Sequence, residues 1–203
     1  MKPAISSKDR LVLDTSLFVN PEIRHNFGGS PTEAMNGFLA LAEKAPALEF
    51  YMPSSIIEEL LNFVDIAKLP PSFTALIRQK SPSKHELNSP ALLLYEFVEE
   101  MRDRVNKGMR IAEKAARNVN NTPERELIQS MRKNYRDAMR EGILDSKEDV
   151  DLIFLAKELD ALLVTVDYGA IKWAEKLGVR WLIPTKFKDY LLNFIDDDTP
   201  LEL

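Results

Sequence analysis

Four aspartates stand where apolar runs end or helices begin: Asp14 in Arg10-Leu-Val-Leu-Asp-Thr-Ser16, Asp145 and Asp149 in Leu144-Asp-Ser-Lys-Glu-Asp-Val150, and Asp167 in Leu163-Val-Thr-Val-Asp167. Carboxylates gathered at one end of a sheet offer oxygen ligands only, a donor set suited to hard cations such as Mg²⁺ or Mn²⁺. The chemistry they predict is metal-assisted hydrolysis of a phosphodiester, in which one ion lowers the pKa of a bound water and a second steadies the leaving oxygen. Asp151, one residue pair beyond Asp149, is a further metal-ligand candidate behind them. Glu58 and Glu59 open the helix after a second strand. Glu58 sits three residues after Ser55, where a capping-box glutamate would sit, so Glu59 is the expected ligand of the two.

Each acid also has a plain structural account. Asp149 lies three residues after Ser146 and fits a helix N-terminus, where an acid gains about 0.3 to 1 kcal/mol from the helix dipole. Asp14 and Asp167 resist that account, because a charge ending a buried strand costs free energy unless it is paired or metal-bound. The chain contains no cysteine, and its two histidines, His25 and His85, fall in loop-like segments. Thiolate zinc, disulfides and a cysteine nucleophile are therefore excluded. A haloacid-type phosphatase would need an aspartate where Ser16 stands, and no glycine-rich phosphate loop suggests an NTPase.

The elements that must carry these acids follow from periodicity. Arg10–Asp14 is a β-rich apolar run without alternation, the mark of a strand covered on both faces. Ser30-Pro-Thr-Glu33 reads as an N-cap, a proline at the first helical position and a capping-box glutamate. A strand at 48–52 and a helix capped by Ser54 or Ser55 come next. From residue 70 to 143 no strand-like run appears, and two helices of about 28 and 19 residues are expected, roughly 40 and 30 Å long. Thr122-Pro-Glu-Arg opens the second. The β/α alternation then resumes with a helix from Ser146, a strand at 161–166, a helix ended by Gly178 and a strand at 179–183. The expected fold class is α/β: a doubly wound parallel sheet formed by residues 1–69 and 144–203, interrupted by a helical-hairpin insertion at 70–143.

With 203 residues and 45% hydrophobic content, one substantial core is affordable. No apolar stretch approaches the roughly 20 residues of a membrane span, and the first ten residues lack a secretory apolar region, so a cytoplasmic protein without membrane contact is expected. The formal charge is −5, but residues 71–144 hold 14 Lys and Arg against 10 Asp and Glu, whereas the rest hold 13 against 22. Arg125, Arg132, Arg136 and Arg140 fall within about 80° of one another on a helical wheel and span about 22 Å. Lys107, Arg110, Lys114 and Arg117 fall within a similar arc on the preceding helix, over about 15 Å. A lone basic stripe is ordinarily a solvated face. Two on paired helices beside an acidic site predict RNA binding through the phosphate backbone. Leu93, Leu94, Phe97, Val98 and Met101 need cover, which predicts a homo-oligomer.

Leu11-Val-Leu-Asp-Thr-Ser16, Pro53-Ser-Ser-Ile-Ile-Glu-Glu-Leu60, Ser146-Lys-Glu-Asp-Val-Asp151 and Val164-Thr-Val-Asp167 resemble the acidic motifs of PIN-domain nucleases. More narrowly, Leu13–Pro21, Phe27-Gly28, Pro31–Ala34 and a helical insertion before Leu144-Asp145 resemble the small protein-only ribonuclease P family of bacteria and archaea, the homologues of the Aquifex enzyme. The likeness runs over nearly the whole chain. It implies Mg²⁺- or Mn²⁺-dependent removal of the 5′ leader from precursor tRNA, leaving a 5′ phosphate, with no RNA subunit. It also implies that Asp14, Asp145, Asp149 and Asp167 are catalytic metal ligands. The insertion would contact the tRNA body, with Arg132 and Arg136 as candidates, and would join dimers into a larger assembly such as a dodecamer. The competing expectations are a toxin-like endoribonuclease on the same scaffold and a non-catalytic RNA-binding partner protein.

Overall fold

A computed structural model of the chain describes residues 9–88, 90–140 and 146–195, Arg140 by its backbone alone. The described residues divide into two compact units, one running to Leu87 and again from Ser146, the other from Asn88 through the two long helices.

The first unit opens with β1 (Asp9–Leu13), whose Leu11, Val12 and Leu13 are fully buried. Both faces of this strand are covered, which accounts for its unbroken apolar run. Two short helices follow, α1 (Ser16–Val19) and α2 (Pro21–Arg24), then α3 (Pro31–Ala42). The Ser30 hydroxyl accepts from the Glu33 amide and the Glu33 side chain reaches back, closing the expected capping box. Next come β2 (Leu48–Met52), α4 (Ser54–Leu60), α5 (Ser72–Leu76) and β3 (Ile77–Gln79).

The second unit is a hairpin of α6 (Ala91–Arg117) and α7 (Glu124–Arg140). A Cβ added to Gly108 of α6 would lie 2.9 Å from the Tyr135 ring of α7, so only glycine fits there without displacing that ring. The chain re-enters the sheet unit through α8 (Lys147–Leu159), then β4 (Leu162–Val164), α9 (Tyr168–Lys176), β5 (Trp181–Leu182) and α10 (Phe187–Leu192). Gly178, at φ +70°, makes the left-handed turn after α9.

The sheet is parallel throughout, in the order β3-β2-β1-β4-β5. The chain winds outward from β1 to β2 and β3, then returns to build β4 and β5 on the other side. The reversal between β1 and β4 is the topological switch point, beyond whose carboxyl edge ligands bind in open sheets. Phe38 of α3 anchors the core through Phe18 at 5.4 Å, Phe50 at 5.1 Å and Phe187 at 5.8 Å between ring centroids.

Two sequence expectations are corrected. Residues 70–143 do contain a strand: β3 pairs with β2 through Phe50–Ile77 and Met52–Gln79. It is short and carries Arg78 and Gln79 at the sheet edge, so no apolar run announces it. Residues 70–87 accordingly pack with the sheet unit, and the hairpin begins later than residue 70. Second, neither Ser54 nor Ser55 caps α4, whose N-cap position is Pro53.

Candidate metal centre and RNA-facing surface

Asp14 follows the last residue of β1, and its amide donates to the Val164 carbonyl of β4 at 3.2 Å, which sets it at the switch point. The residue is 8% exposed, yet among the described residues no basic group is seen to satisfy it. Three hydroxyls do so instead. Ser16 Oγ donates to Oδ2 at 2.6 Å, Thr165 Oγ1 donates to the same oxygen at 2.7 Å, and Thr15 Oγ1 lies 3.2 Å from Oδ1. The need for a charged partner anticipated from burial is thus partly met by neutral donors, which satisfy and orient the carboxylate.

Thr15 also reaches Glu59 of α4, with 3.3 Å between Oγ1 and Oε2. One hydroxyl proton therefore stands between two carboxylates. Partial desolvation pushes the Glu59 carboxyl, which is still exposed to solvent, above its ordinary value; the Thr15 hydrogen bond opposes this, and the charges of Asp14 and Glu148 add to it. Negative charges face one another here, and a divalent ion relieves such crowding. The all-oxygen donor set fits Mg²⁺ or Mn²⁺ on the same ground. Among the described residues, however, no three acidic side chains close around a single point.

The other predicted ligands are placed as follows. Asp149 lies in the first turn of α8, where its amide donates to Ser146 Oγ at 3.0 Å and its Oδ2 accepts from that hydroxyl at 2.8 Å. Asp167 caps α9, accepting from the Ala170 amide at 2.7 Å, and its own amide donates to Thr165 Oγ1 at 3.0 Å. Thr165, fully buried, thereby ties the Asp167 backbone to the Asp14 carboxylate. Asp151 is 6% exposed and already engaged, with Lys84 Nζ 2.7 Å from Oδ1 and Ser55 Oγ donating to Oδ2 at 3.3 Å. Asp145 lies outside the described residues. Glu58 is solvent-exposed and, with Ser55 turned towards Asp151, has no capping box to join.

Sequence reasoning missed Glu148, which faces Glu59 electrostatically, because only the phase of α8 distinguishes it from its neighbour Asp149. It also missed a second fastening of α8. Glu158 accepts from Lys80 Nζ at 2.8 Å and from the Ser83 amide at 2.7 Å, contacts that hold its carboxyl below the ordinary value, the Lys80 hydrogen bond most of all. Lys80 and Lys84 thus bind the segment after β3 to the helix that carries Glu148, Asp149 and Asp151.

On the hairpin, Arg125, Arg132 and Arg136 are exposed along α7, as are Lys107, Arg110, Lys114 and Arg117 along α6; the Arg140 side chain lies outside the described residues. Arg132 and Arg136 line an open groove of about 870 Å³ together with Gly108, Ile111, Ala112 and Tyr135. Leu94, Val98, Met101, Val105 and Met109 form a second stripe on α6, each between 42% and 66% exposed.

A parallel sheet with acids at its switch point is the arrangement of a PIN-type nuclease, and residues 10–196 match the family model described as "PINc domain ribonuclease". The chain is 56% identical over 188 residues to the RNA-free ribonuclease P of Thermodesulfovibrio yellowstonii, covering 93% of this chain and 96% of that one. It is 48% identical over 195 residues to the protein of that name from Thermococcus kodakarensis, covering 92% and 96%. Halorhodospira halophila provides a more distant one, 42% identical over 191 residues, covering 93% and 92%. The chain belongs to the PINc domain ribonucleases and, within them, to the RNA-free ribonuclease P family. It is an endoribonuclease of α/β fold.

Proposed function

We propose that the chain removes the 5′ leader from precursor tRNA by hydrolysis and needs no RNA subunit to do so. The observation that carries this reading is the hydroxyl-bound Asp14 facing Glu59 at the switch point, in a chain similar to ribonucleases P over nearly its whole length. Asp14, Glu59, Asp145, Asp149 and Asp167 would hold Mg²⁺ or Mn²⁺, with Asp151 supporting from behind through Ser55 and Lys84. The bound ion supplies a water of lowered pKa and charge to steady the leaving oxygen. Water oxygen joins the phosphorus, the bond from phosphorus to the leader's 3′ oxygen breaks, and that oxygen takes a proton; the mature tRNA keeps the 5′ phosphate. Thr15, Ser16 and Thr165 keep the Asp14 carboxylate oriented for this task.

The basic faces of α6 and α7, Arg125, Arg132, Arg136 and Arg140 among them, are assigned to the phosphate backbone of the tRNA body. The exposed apolar stripe of α6 is assigned to a second copy of the chain, with dimers building a larger assembly such as a dodecamer. A substrate of this kind places the protein in the cytoplasm; among the described residues no helix is long and apolar enough to cross a membrane.

The test is leader release from precursor tRNA, with Mg²⁺ or with EDTA, by the wild-type chain and by Asp14→Asn and Asp149→Asn. Release confined to the wild type with metal, at the mature 5′ end, supports the reading. Release that survives EDTA or both substitutions overturns the metal centre, and scattered cutting of unrelated RNAs favours a toxin-like nuclease.

A further inference from the structure

We infer that Tyr168 is a stacking platform for a base beside the scissile phosphate, an inference that rests on the nuclease reading above. Tyr168 is 72% exposed, the most open of the large apolar side chains described in the sheet unit. Its place is what makes that exposure informative. It is the first residue of α9 and follows Asp167, whose carboxylate caps the helix through the Ala170 amide and whose amide is held by Thr165, itself bonded to Asp14. The backbone under the ring is therefore two hydrogen bonds from the Asp14 carboxylate and fixed at both sides. Helical side chains lean towards the helix N-terminus, so this ring leans towards the carboxyl edge of the sheet, where the acids lie.

A second apolar side chain borders the same edge. Val164 of β4 is paired with Leu182 of β5, so the next residues, Thr165 and Ile183, stand level, and Ile183 is 39% exposed. Tyr168 and Ile183 thus border the β4–β5 side of an acidic centre with uncharged surface. Their neutrality suits the position: a lysine or arginine there would be drawn to the carboxylates, while an aromatic ring offers a nucleic acid its π-face without competing for the metal. Bases displaced from a helix are commonly held by such stacking, which tolerates any base identity. The ring would hold the nucleotide next to the cut and thereby set the scissile phosphate over Asp14.

The experiment is a cycle of paired changes, read as single-turnover kcat/KM on precursor tRNA. Tyr168→Ala is expected to lower cleavage about 10-fold, while Tyr168→Phe and Tyr168→Trp stay within about twofold because they keep the ring. Tyr168→Leu, which keeps apolar bulk without a π-face, is expected to resemble Tyr168→Ala. Two further substrates each lack one base, on the leader side or the tRNA side of the cut. With one of them the wild type should lose the same factor as Tyr168→Ala, and combining the two changes should add nothing further. Additive losses at both positions, full activity of Tyr168→Ala, or rescue by leucine would overturn the inference. Failure of the wild type to cleave intact precursor tRNA would instead sink the functional reading beneath it.

Discussion

The sheet unit and the hairpin handle the same raw material in opposite ways. In the sheet unit, Leu11, Leu13, Phe18, Phe38, Phe50 and Phe187 are all under 2% exposed. In α6, a helix of 27 residues, Gly108 is the buried residue, while Leu94, Tyr95, Val98 and Val105 are more than half exposed. Two helices can cover one seam between them, and the stripe turned away from that seam has no third layer to lie under. A unit that closes its own core can hold carboxylates still at a sheet edge. A unit that leaves both an apolar and a basic face open has surface to offer other molecules. On the proposed reading the sheet unit carries the chemistry and the hairpin the recognition.

The largest expected effect tests the self-sufficiency of the sheet unit. Phe38→Ala should cost about 3 to 5 kcal/mol in denaturant unfolding, because the aromatic cluster cannot collapse into the space. Tyr135→Ala in the hairpin, half exposed, should cost far less; equal losses would show that the hairpin carries a core of comparable weight. Next comes Asp14→Asn, expected to reduce cleavage at least about 100-fold, since changes to residues merely supporting a metal ligand already cost 10- to 100-fold. Without metal its melting temperature should hold or rise, because the substitution removes repulsion with Glu59. A large fall would mean that the carboxylate serves the fold before the reaction.

Substitutions on the hairpin should act on binding alone. Arg132→Ala with Arg136→Ala is expected to raise KM several-fold and flatten the dependence of log affinity on log salt by about 2, with kcat unchanged. An unaltered salt slope would return that ladder to a solvated face. The smallest effect concerns the fastening of α8. Glu158, held below its ordinary value by Lys80, contributes stability that is present above the unfolded value of 4.5 and is lost as pH falls through the folded value. Glu158→Gln should thus be less stable by about 1 kcal/mol at neutral pH, and the gap should close in acid. A gap that persists in acid would mean the glutamine has lost packing, not charge.

Part of the local structure could be read before any fold was known. Asp14 declares itself because a buried apolar strand cannot end on an acid without consequence, and Ser30 and Ser146 because helix starts need side-chain acceptors; Asp167, expected only as a strand-ending acid, also caps α9. Glu148 and Glu59 depend on helix phase, which a one-residue shift in the start exchanges. Lys84 is separated from Asp151 by the whole hairpin, so no local pattern links them, and β3 is too short and too polar to register as a strand at all. Its place is given by pairing with β2.

What the chain determines by itself is therefore the set of elements and the chemistry on offer: alternating strands and helices, oxygen ligands without thiols, basic stripes on two long helices. These follow from periodicity and composition, which act over a turn or two of helix or the length of a strand. Only the tertiary structure decides which carboxylates confront one another, and which are consumed by hydroxyls, caps or lysines. Those outcomes depend on the parallel order of the sheet, which brings Asp14 and Thr165 within a hydrogen bond across 151 residues of sequence. No local propensity encodes a distance of that kind; the burial of β1 on both faces does.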